Sequence, residues 1–273
     1  MNGILYTVAT PIGNLEDMSP RAIKTLESVD YILCEDTRVS SKLLSKFNIS
    51  KKLIAYHKFN EKEQVDKVLA DLRNGQNIAL ISDAGTPCVS DPGRVLVNDA
   101  YKEGFKVIPV SGACAVSTFL SAVPKEDETY IFTGFIPRTF SEQQKFFEEN
   151  YCADLVFYES PNRILKTLEN IIKIYGNSVR VAVGRELTKL YEEILSDTAE
   201  NIYNHFKMNQ PKGEFVVMLY KEKNNDKTNL ETEIEKKVVI LKNKGYSSKD
   251  VSVILSLLFD VNKNLIYKIA SEK

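Results

Sequence analysis

This sequence predicts an α/β fold of two lobes with a cleft between them, followed by a small helical module, and three observations carry that expectation. The first two thirds of the 273 residues alternate short β-branched or apolar runs with amphipathic stretches of helical period, the pattern of strands feeding helices. After Val123-Pro124 the charged run Lys125-Glu126-Asp127-Glu128 interrupts this alternation, which then starts again. Beyond it, the polar run KEKNNDKTN at 221–229 has the composition of a linker, and the remainder of the chain is helical in character throughout. The expected organisation is an N-terminal α/β lobe at 1–122, a second α/β lobe at 123–220, a linker at 221–230 and a helical module at 231–273.

In the first lobe, strands are expected at 4–9, 30–34, 53–56, 78–82 and 106–109, where apolar and β-branched residues cluster. Between them, helices at 20–26, 41–47, 61–74 and 94–103 show apolar spacings of three and four, with Ser19 and Asp91 standing where N-terminal caps belong. Strands joined through helices lie parallel, so a five-stranded and largely parallel sheet is expected. In the second lobe, strands at 130–133, 155–158, 179–183 and 214–219 alternate with helices at 142–150, 161–175 and 197–208. The tail reads as helices at 231–244, 247–259 and 263–271, with Gly245-Tyr246 as a stop and Ser247 or Ser248 as a cap. Three short helices with a Gly-containing turn resemble a helix-turn-helix.

Composition narrows the function classes. With 43% hydrophobic and 27% charged residues the chain is ordinary globular material. It shows neither a basic, apolar leader nor a run of about eighteen apolar residues, so a cytoplasmic protein with no membrane segment is expected. Cys34, Cys88, Cys114 and Cys152 are scattered without a CxxC pair, and His57 and His205 lie near none of them, so no metal is expected. A net charge of −1 supplies no global field for nucleic acid, leaving any RNA contact to a local basic surface. Of the eight arginines, Arg21, Arg38, Arg94, Arg138, Arg163 and Arg185 sit in turn-rich segments. There the guanidinium fork serves either bidentate recognition or surface ion pairing.

Five loops at strand ends are positioned to carry chemistry. Thr10-Pro11-Ile12-Gly13-Asn14-Leu15 leaves the first strand for a helix, where ligands meet α/β sheets, but it matches no dinucleotide or nucleotide-triphosphate fingerprint. Taken alone, it is equally a plain turn. The loop from Ser82 to Arg94, SDAGTPCVSDPGR, packs two Asp, two Gly and two Pro into a connection that two to six residues would ordinarily make. Glycines there let backbone groups approach a ligand, while prolines fix the loop's shape. Val110-Ser111-Gly112-Ala113-Cys114-Ala115 is a small-residue turn against which a flat ring would fit, or a close-packed helix start. Phe157-Tyr158-Glu159-Ser160-Pro161-Asn162-Arg163 and Val183-Gly184-Arg185-Glu186-Leu187-Thr188-Lys189 end strands of the second lobe with charged groups, facing the cleft or solvated.

Together, VATPIGNLEDMSPRA, LCEDTR, YHKFNE, ISDAGTPCVSDPG, PVSGACA, FTGFIPR, FYESPNR and VGRELTK resemble, in this order and spacing, the tetrapyrrole-methylase superfamily of class III S-adenosylmethionine-dependent methyltransferases. More closely, they are similar to its 16S ribosomal RNA (cytidine-2′-O)-methyltransferases. The resemblance covers nearly the whole chain. It implies a homodimer of two-lobed subunits with S-adenosylmethionine in the cleft and 16S rRNA of the small ribosomal subunit as substrate. It also implies cofactor contacts from Thr10, Asp83, Thr86, Ala113, Cys114 and Tyr158, with Gly184, Arg185 and Gly213 near the adenosine. TPIGN stands where many tetrapyrrole methylases carry a GPG-type turn. The C-terminal helices resemble the tail of the rRNA enzymes and count against a tetrapyrrole substrate.

A ribose hydroxyl has a pKa far above neutrality, so its methylation calls for a proton acceptor as well as alignment. Glu159, Glu186 and Lys189 are the candidate catalytic groups. Arg38, Arg138 and Arg163 are candidates for the RNA, with Arg163 and Arg185 able to grip phosphodiesters bidentately. Tyr56, Phe59, Phe135 and Phe140 are candidates for base stacking. Two rivals are a corrin- or porphyrin-precursor methylase, and a non-catalytic RNA-binding protein of ribosome assembly.

Overall fold

The computed structural model describes residues 1–125, 128–221, 226–259 and 261–272. Residues Met1–Lys221 form one compact unit and Glu222–Lys273 another.

The first unit begins with β1 (Ile4–Val8), α1 (Pro20–Ser28), β2 (Tyr31–Cys34), α2 (Thr37–Lys46), β3 (Lys52–Ala55), α3 (Glu61–Arg73), β4 (Ile78–Leu80), α4 (Arg94–Lys102), β5 (Lys106–Val110) and α5 (Ala115–Ala122). Its sheet has the order β3-β2-β4-β1-β5, and every pair in it is parallel. Strand β2 explains why a buried parallel strand reads as a continuous apolar run. Tyr31 and Leu33 pack with α3 and α4 through Val65, Leu69 and Leu96, whereas Ile32 and Cys34 pack with α1 and α2 through Ala22, Leu26 and Leu44.

The chain continues through β6 (Tyr130–Phe135), α6 (Phe140–Asn150), β7 (Asp154–Glu159), α7 (Ile164–Tyr175), β8 (Arg180–Arg185), β9 (Glu193–Thr198), α8 (Ala199–Met208) and β10 (Phe215–Leu219). This second sheet, β6-β7-β10-β8-β9, is parallel only between β6 and β7. Leu155, Phe157, Val181, Val183 and Val217 bury one face against α6, α7 and α8. Val156, Ala182, Val216 and Met218 bury the other against Val116, Phe119 and Leu120 of α5. The boundary expected at 122 and 123 therefore comes after a helix whose apolar side belongs to the second sheet's core.

Where local pattern and structure differ, the reasons are physical. Strand β9, absent from the pattern, is an edge strand paired only with β8, and its EILSDT sequence carries the charges that edge strands use against aggregation. Helix α5 fulfils the helix start that is one reading of the 110–115 turn; Val116, Phe119 and Leu120 are buried at helical spacing, but eight residues give that period little length in which to show. Ser19 caps α1 as expected, accepting from Ala22 N at 3.1 Å. Asp91 does not cap α4. Gly93, at φ +123°, holds that position, and its N–H donates to Glu61 Oε1 at 2.8 Å.

In the second unit, α9 (Asp226–Asn243), α10 (Ser248–Phe259) and α11 (Lys263–Glu272) pack around Ile234, Val238, Val251, Leu255, Ile266 and Ala270. Because α9 starts at Asp226, residues 226–230 of the expected linker are helical, while 222–225 lie outside the described residues. Among the described residues, no helix is long and apolar enough to cross a membrane.

Phe157 is fully buried, 6.1 Å from the ring of Phe147. Phe157→Ala is expected to cost about 3–5 kcal/mol, read as a lowered urea midpoint. A loss under about 1 kcal/mol would mean that the core refills the space.

Candidate active site

Loops after β1, β4 and β5 meet at the carboxyl ends of the parallel sheet, where open α/β sheets bind ligands. Their mutual position is fixed by backbone pairing. Thr10 N donates to Gly85 O at 2.8 Å and Gly85 N returns a bond to Thr10 O at 3.1 Å, an isolated antiparallel bridge. The buried Thr10 hydroxyl adds a bond to Ser82 O at 3.3 Å. Thr86 Oγ1 donates to Ala113 O at 3.0 Å, tying the β4 loop to the β5 loop. Asp83 Oδ1 accepts from Asp36 N at 3.0 Å, tying it to the start of α2. Gly85 sits at φ +83°, and a Cβ there would lie 3.2 Å from Ile12 Cγ2. Only glycine leaves that space open without backbone strain.

These loops and the second sheet enclose a cavity of about 280 Å³. Ile12, Leu187, Phe215 and Val216 make it apolar, and Thr86, Ser90, Asp91 and Tyr158 add polar groups. Size and lining both suit a small ligand with a flat apolar part and a few hydrogen-bonding groups, near the lower end of the roughly 300–1,000 Å³ typical of such sites. Tyr158 is steadied edge-on by Phe132, with ring centroids 5.0 Å apart. Burial, with the Cys114 and Asp91 side chains nearby, pushes the Tyr158 hydroxyl pKa up and keeps it neutral.

Of the residues singled out from sequence, Thr86, Cys114, Phe135, Tyr158 and Glu159 line the cavity. Thr10, Asp83 and Ala113 hold its loops together instead of lining it. Gly184 has a packing role, since a Cβ there would press on the Phe119 ring at 2.7 Å. Gly213, at φ +87°, leaves room for the Glu186 side chain. Arg185 pairs with Glu193 at 3.5 Å.

The candidate bases are committed elsewhere. The Glu159 carboxylate is shielded from solvent, accepts from Ser160 N and Thr167 Oγ1 at 2.7 Å each, and pairs with Arg163 at 3.2 Å. Lys189 bonds Glu186 at 2.7 Å and Glu214 at 3.0 Å. Burial opposes the charge on both partners, but the Lys189 bond and the Glu214 N–H hold the Glu186 carboxyl below its usual range, and the two carboxylates hold Lys189 above its own. Neither is a ready proton acceptor near neutrality. Glu186 and Thr188 adopt left-handed φ values of +51° and +65°, so this loop carries strain of the kind found at functional sites.

The arginines divide in the same way. Arg163 donates to Ile136 O and Pro137 O at 3.0 and 2.7 Å and shapes the FIPR loop from within. Arg38 is exposed and forks onto Asp36, whose carboxyl it pulls down to about 2. Arg138 is exposed. Of the aromatics, Phe59, Phe135 and Phe140 are exposed, but Tyr56 is a core residue.

Asp91 was hidden in the sequence by its resemblance to a helix cap. Burial raises its carboxyl pKa, Glu35 and Asp83 raise it further, and Lys58 and the Ser82 hydroxyl only partly oppose them, leaving it at about 6.

These features define an α/β protein with a cavity sized for a small ligand between a parallel and a mixed sheet. Residues 4–203 match the family described as Tetrapyrrole (Corrin/Porphyrin) Methylases. The chain is 38% identical to ribosomal RNA small subunit methyltransferase I of Haemophilus influenzae, covering 98% of this chain and 96% of that one. It is 46% identical to the protein of the same name from Halalkalibacterium halodurans, covering 80% and 75%. A solved diphthine synthase superimposes with a TM-score of 0.62 at 13% identity, covering 80% of this chain and 90% of that one. The uroporphyrin-III-C-methyltransferase of Thermus thermophilus does so at 0.56 and 16%, covering 79% and 94%. The chain belongs to the tetrapyrrole methylase family, among the proteins named ribosomal RNA small subunit methyltransferase I.

A carboxyl raised from 3.8 to about 6 on folding contributes stability that is full below pH 3.8 and lost as pH rises through about 6. Asp91→Asn removes this penalty. Its melting temperature is expected to exceed the wild type's at pH 8, with the gap closing toward pH 4. An equal gap at both pH values would refute the assigned environment.

Proposed function

We propose that this chain transfers a methyl group from S-adenosylmethionine to the 2′-hydroxyl of a cytidine ribose in 16S rRNA of the small ribosomal subunit. One observation carries the choice of RNA over a tetrapyrrole. The Haemophilus influenzae relative, whose name specifies ribosomal RNA, matches 98% of the chain, helical tail included. The uroporphyrin-III-C-methyltransferase fold matches only 79% of it.

Thr86, Cys114 and Tyr158 are the residues proposed to hold the methyl donor, in loops fixed by Thr10, Asp83 and Ala113. Bound there, S-adenosylmethionine supplies an electrophilic methyl group on a sulfonium sulfur. The apolar walls at Ile12, Leu187 and Val216 exclude water from it. Gly184, Arg185 and Gly213 act on the site through the shape of the 184–189 loop. The Glu186–Lys189–Glu214 cluster is a positioning device, since Lys189 ties both carboxylates together. Arg38 and Arg138, both exposed, are proposed RNA contacts, whereas Arg163 supports the loop that carries Arg138. A cytoplasmic homodimer belongs to the same proposal.

The test is transfer of labelled methyl from S-adenosylmethionine to small subunits lacking the modification, mapped by nuclease digestion and mass spectrometry. Label on a cytidine 2′-oxygen is expected. Tyr158→Ala should weaken donor binding about tenfold, the loss of roughly 1.4 kcal/mol of aromatic contact. Donor binding with no label in RNA would sink the ribosomal substrate and redirect attention to tetrapyrrole precursors.

A further inference from the structure

The donor cavity is not the only concavity between the two sheets. A second, more open one of about 430 Å³ is lined by Lys58, Val89, Ser90, Phe132, Thr133, Gly134 and Phe135. Val89, Ser90 and Phe135 line both, so a ligand in one hollow abuts a ligand in the other across this rim.

The groups around the rim are those an RNA nucleotide would require. Lys58 is an exposed cation suited to a phosphate. Phe135 is 61% exposed, its ring 5.7 Å from that of Tyr158, and offers a face for a base. Ser90 Oγ is buried with no hydrogen-bond partner, the state of a hydroxyl that a ligand satisfies. Asp91 is next to Ser90 in the chain and lines the donor cavity beside Tyr158 and Cys114.

Resting on the 2′-O-methylation reading above, we propose that the second concavity receives the acceptor nucleotide, with Lys58 on its phosphate, Phe135 against its base and Asp91 as the general base that takes the ribose 2′-hydroxyl proton. The bond formed joins the 2′-oxygen to the methyl carbon. The bond broken is carbon–sulfur, whose electron pair stays on sulfur, and the hydroxyl proton passes to an Asp91 carboxylate oxygen and then to water.

Asp91 suits the task where Glu159, Glu186 and Lys189 do not. Its carboxyl, at about 6, is ionised at neutral pH yet basic enough to take up a proton in the transition state. The ionisable and charged groups facing it come from several segments: Glu35 after β2, Lys58 after β3, Asp83 and Cys88 in its own loop, and Tyr158 on β7. Glu35 is itself raised by burial and by Asp83. Lys58 is the cation that draws Asp91 down.

The experiment is single-turnover methyl transfer to unmodified small subunits across pH 5–9, with donor affinity measured separately by calorimetry. The wild-type rate is expected to rise tenfold per pH unit and to level off above about 6. Asp91→Asn should lower the plateau by about 100-fold or more and abolish the inflection, with donor affinity held within about twofold. Lys58→Gln should move the inflection upward, since a positive charge near Asp91 is lost, and reduce the salt dependence of RNA binding by about one phosphate contact. Transfer by Asp91→Asn within about threefold of wild type overturns the proposal, as does an inflection that neither variant moves. Donor affinity lost in Asp91→Asn also overturns it, by making Asp91 a donor ligand. Absence of transfer to RNA by the wild-type chain is a separate result, which overturns the underlying reading and the proposal with it.

Discussion

The pairing of Thr10 with Gly85 is the contact on which the cavity depends. A loop long enough to surround a ligand loses conformational entropy on being held, and its polar backbone must find partners once water is excluded. The two reciprocal backbone bonds satisfy four such groups and fix the β1 loop against the β4 loop in one register. The Thr86 bond to Ala113 O then extends the same order to the β5 loop. Three strand ends thereby become one rigid wall, and the second sheet needs only to present Tyr158, Phe215 and Leu187 opposite it.

Much of this was legible in the sequence because it is written in local pattern. Strands β1 to β5 and their parallel order are implied by apolar runs alternating with amphipathic helices, and the 82–94 loop announced itself by its length and its crowding of Asp, Gly and Pro. Other elements were not legible, for equally local reasons. Strand β9 is a charged edge, and α5 is only eight residues long. Site roles were harder still, since they depend on partners distant in sequence. Glu159 is a carboxylate at a strand end, but only the fold brings Thr167 and Arg163 to it. Asp91 stands just before a helical pattern, where a cap is the simplest reading. That Glu35 and Asp83 lie close enough to raise its pKa cannot be seen without the sheet order.

The distribution of charge in the cleft shows a division of labour. Around Lys189 one cation bridges two carboxylates, and such bridging holds a loop in place at the expense of reactivity. Around Asp91 burial comes first and like charges crowd in second, and together they raise the carboxyl pKa to about 6. The left-handed backbone at Glu186 and Thr188, and at Cys88 in the loop across the cavity, lies in these same segments, so conformational and electrostatic strain are both concentrated around the cavity.

Helix α5 reaches from the end of the first sheet onto the face of the second, and this ordering matters while the chain is being made. Synthesis delivers Val116, Phe119 and Leu120 early, but the strands they cover are β7, β8 and β10, and β10 is the last of the described strands to leave the ribosome. Until then the apolar side of α5 has only part of its surface to lie on, so the two sheets cannot be completed strictly one after the other. The cavity, which draws on Phe215 and Val216 of β10, is complete only with the final strand.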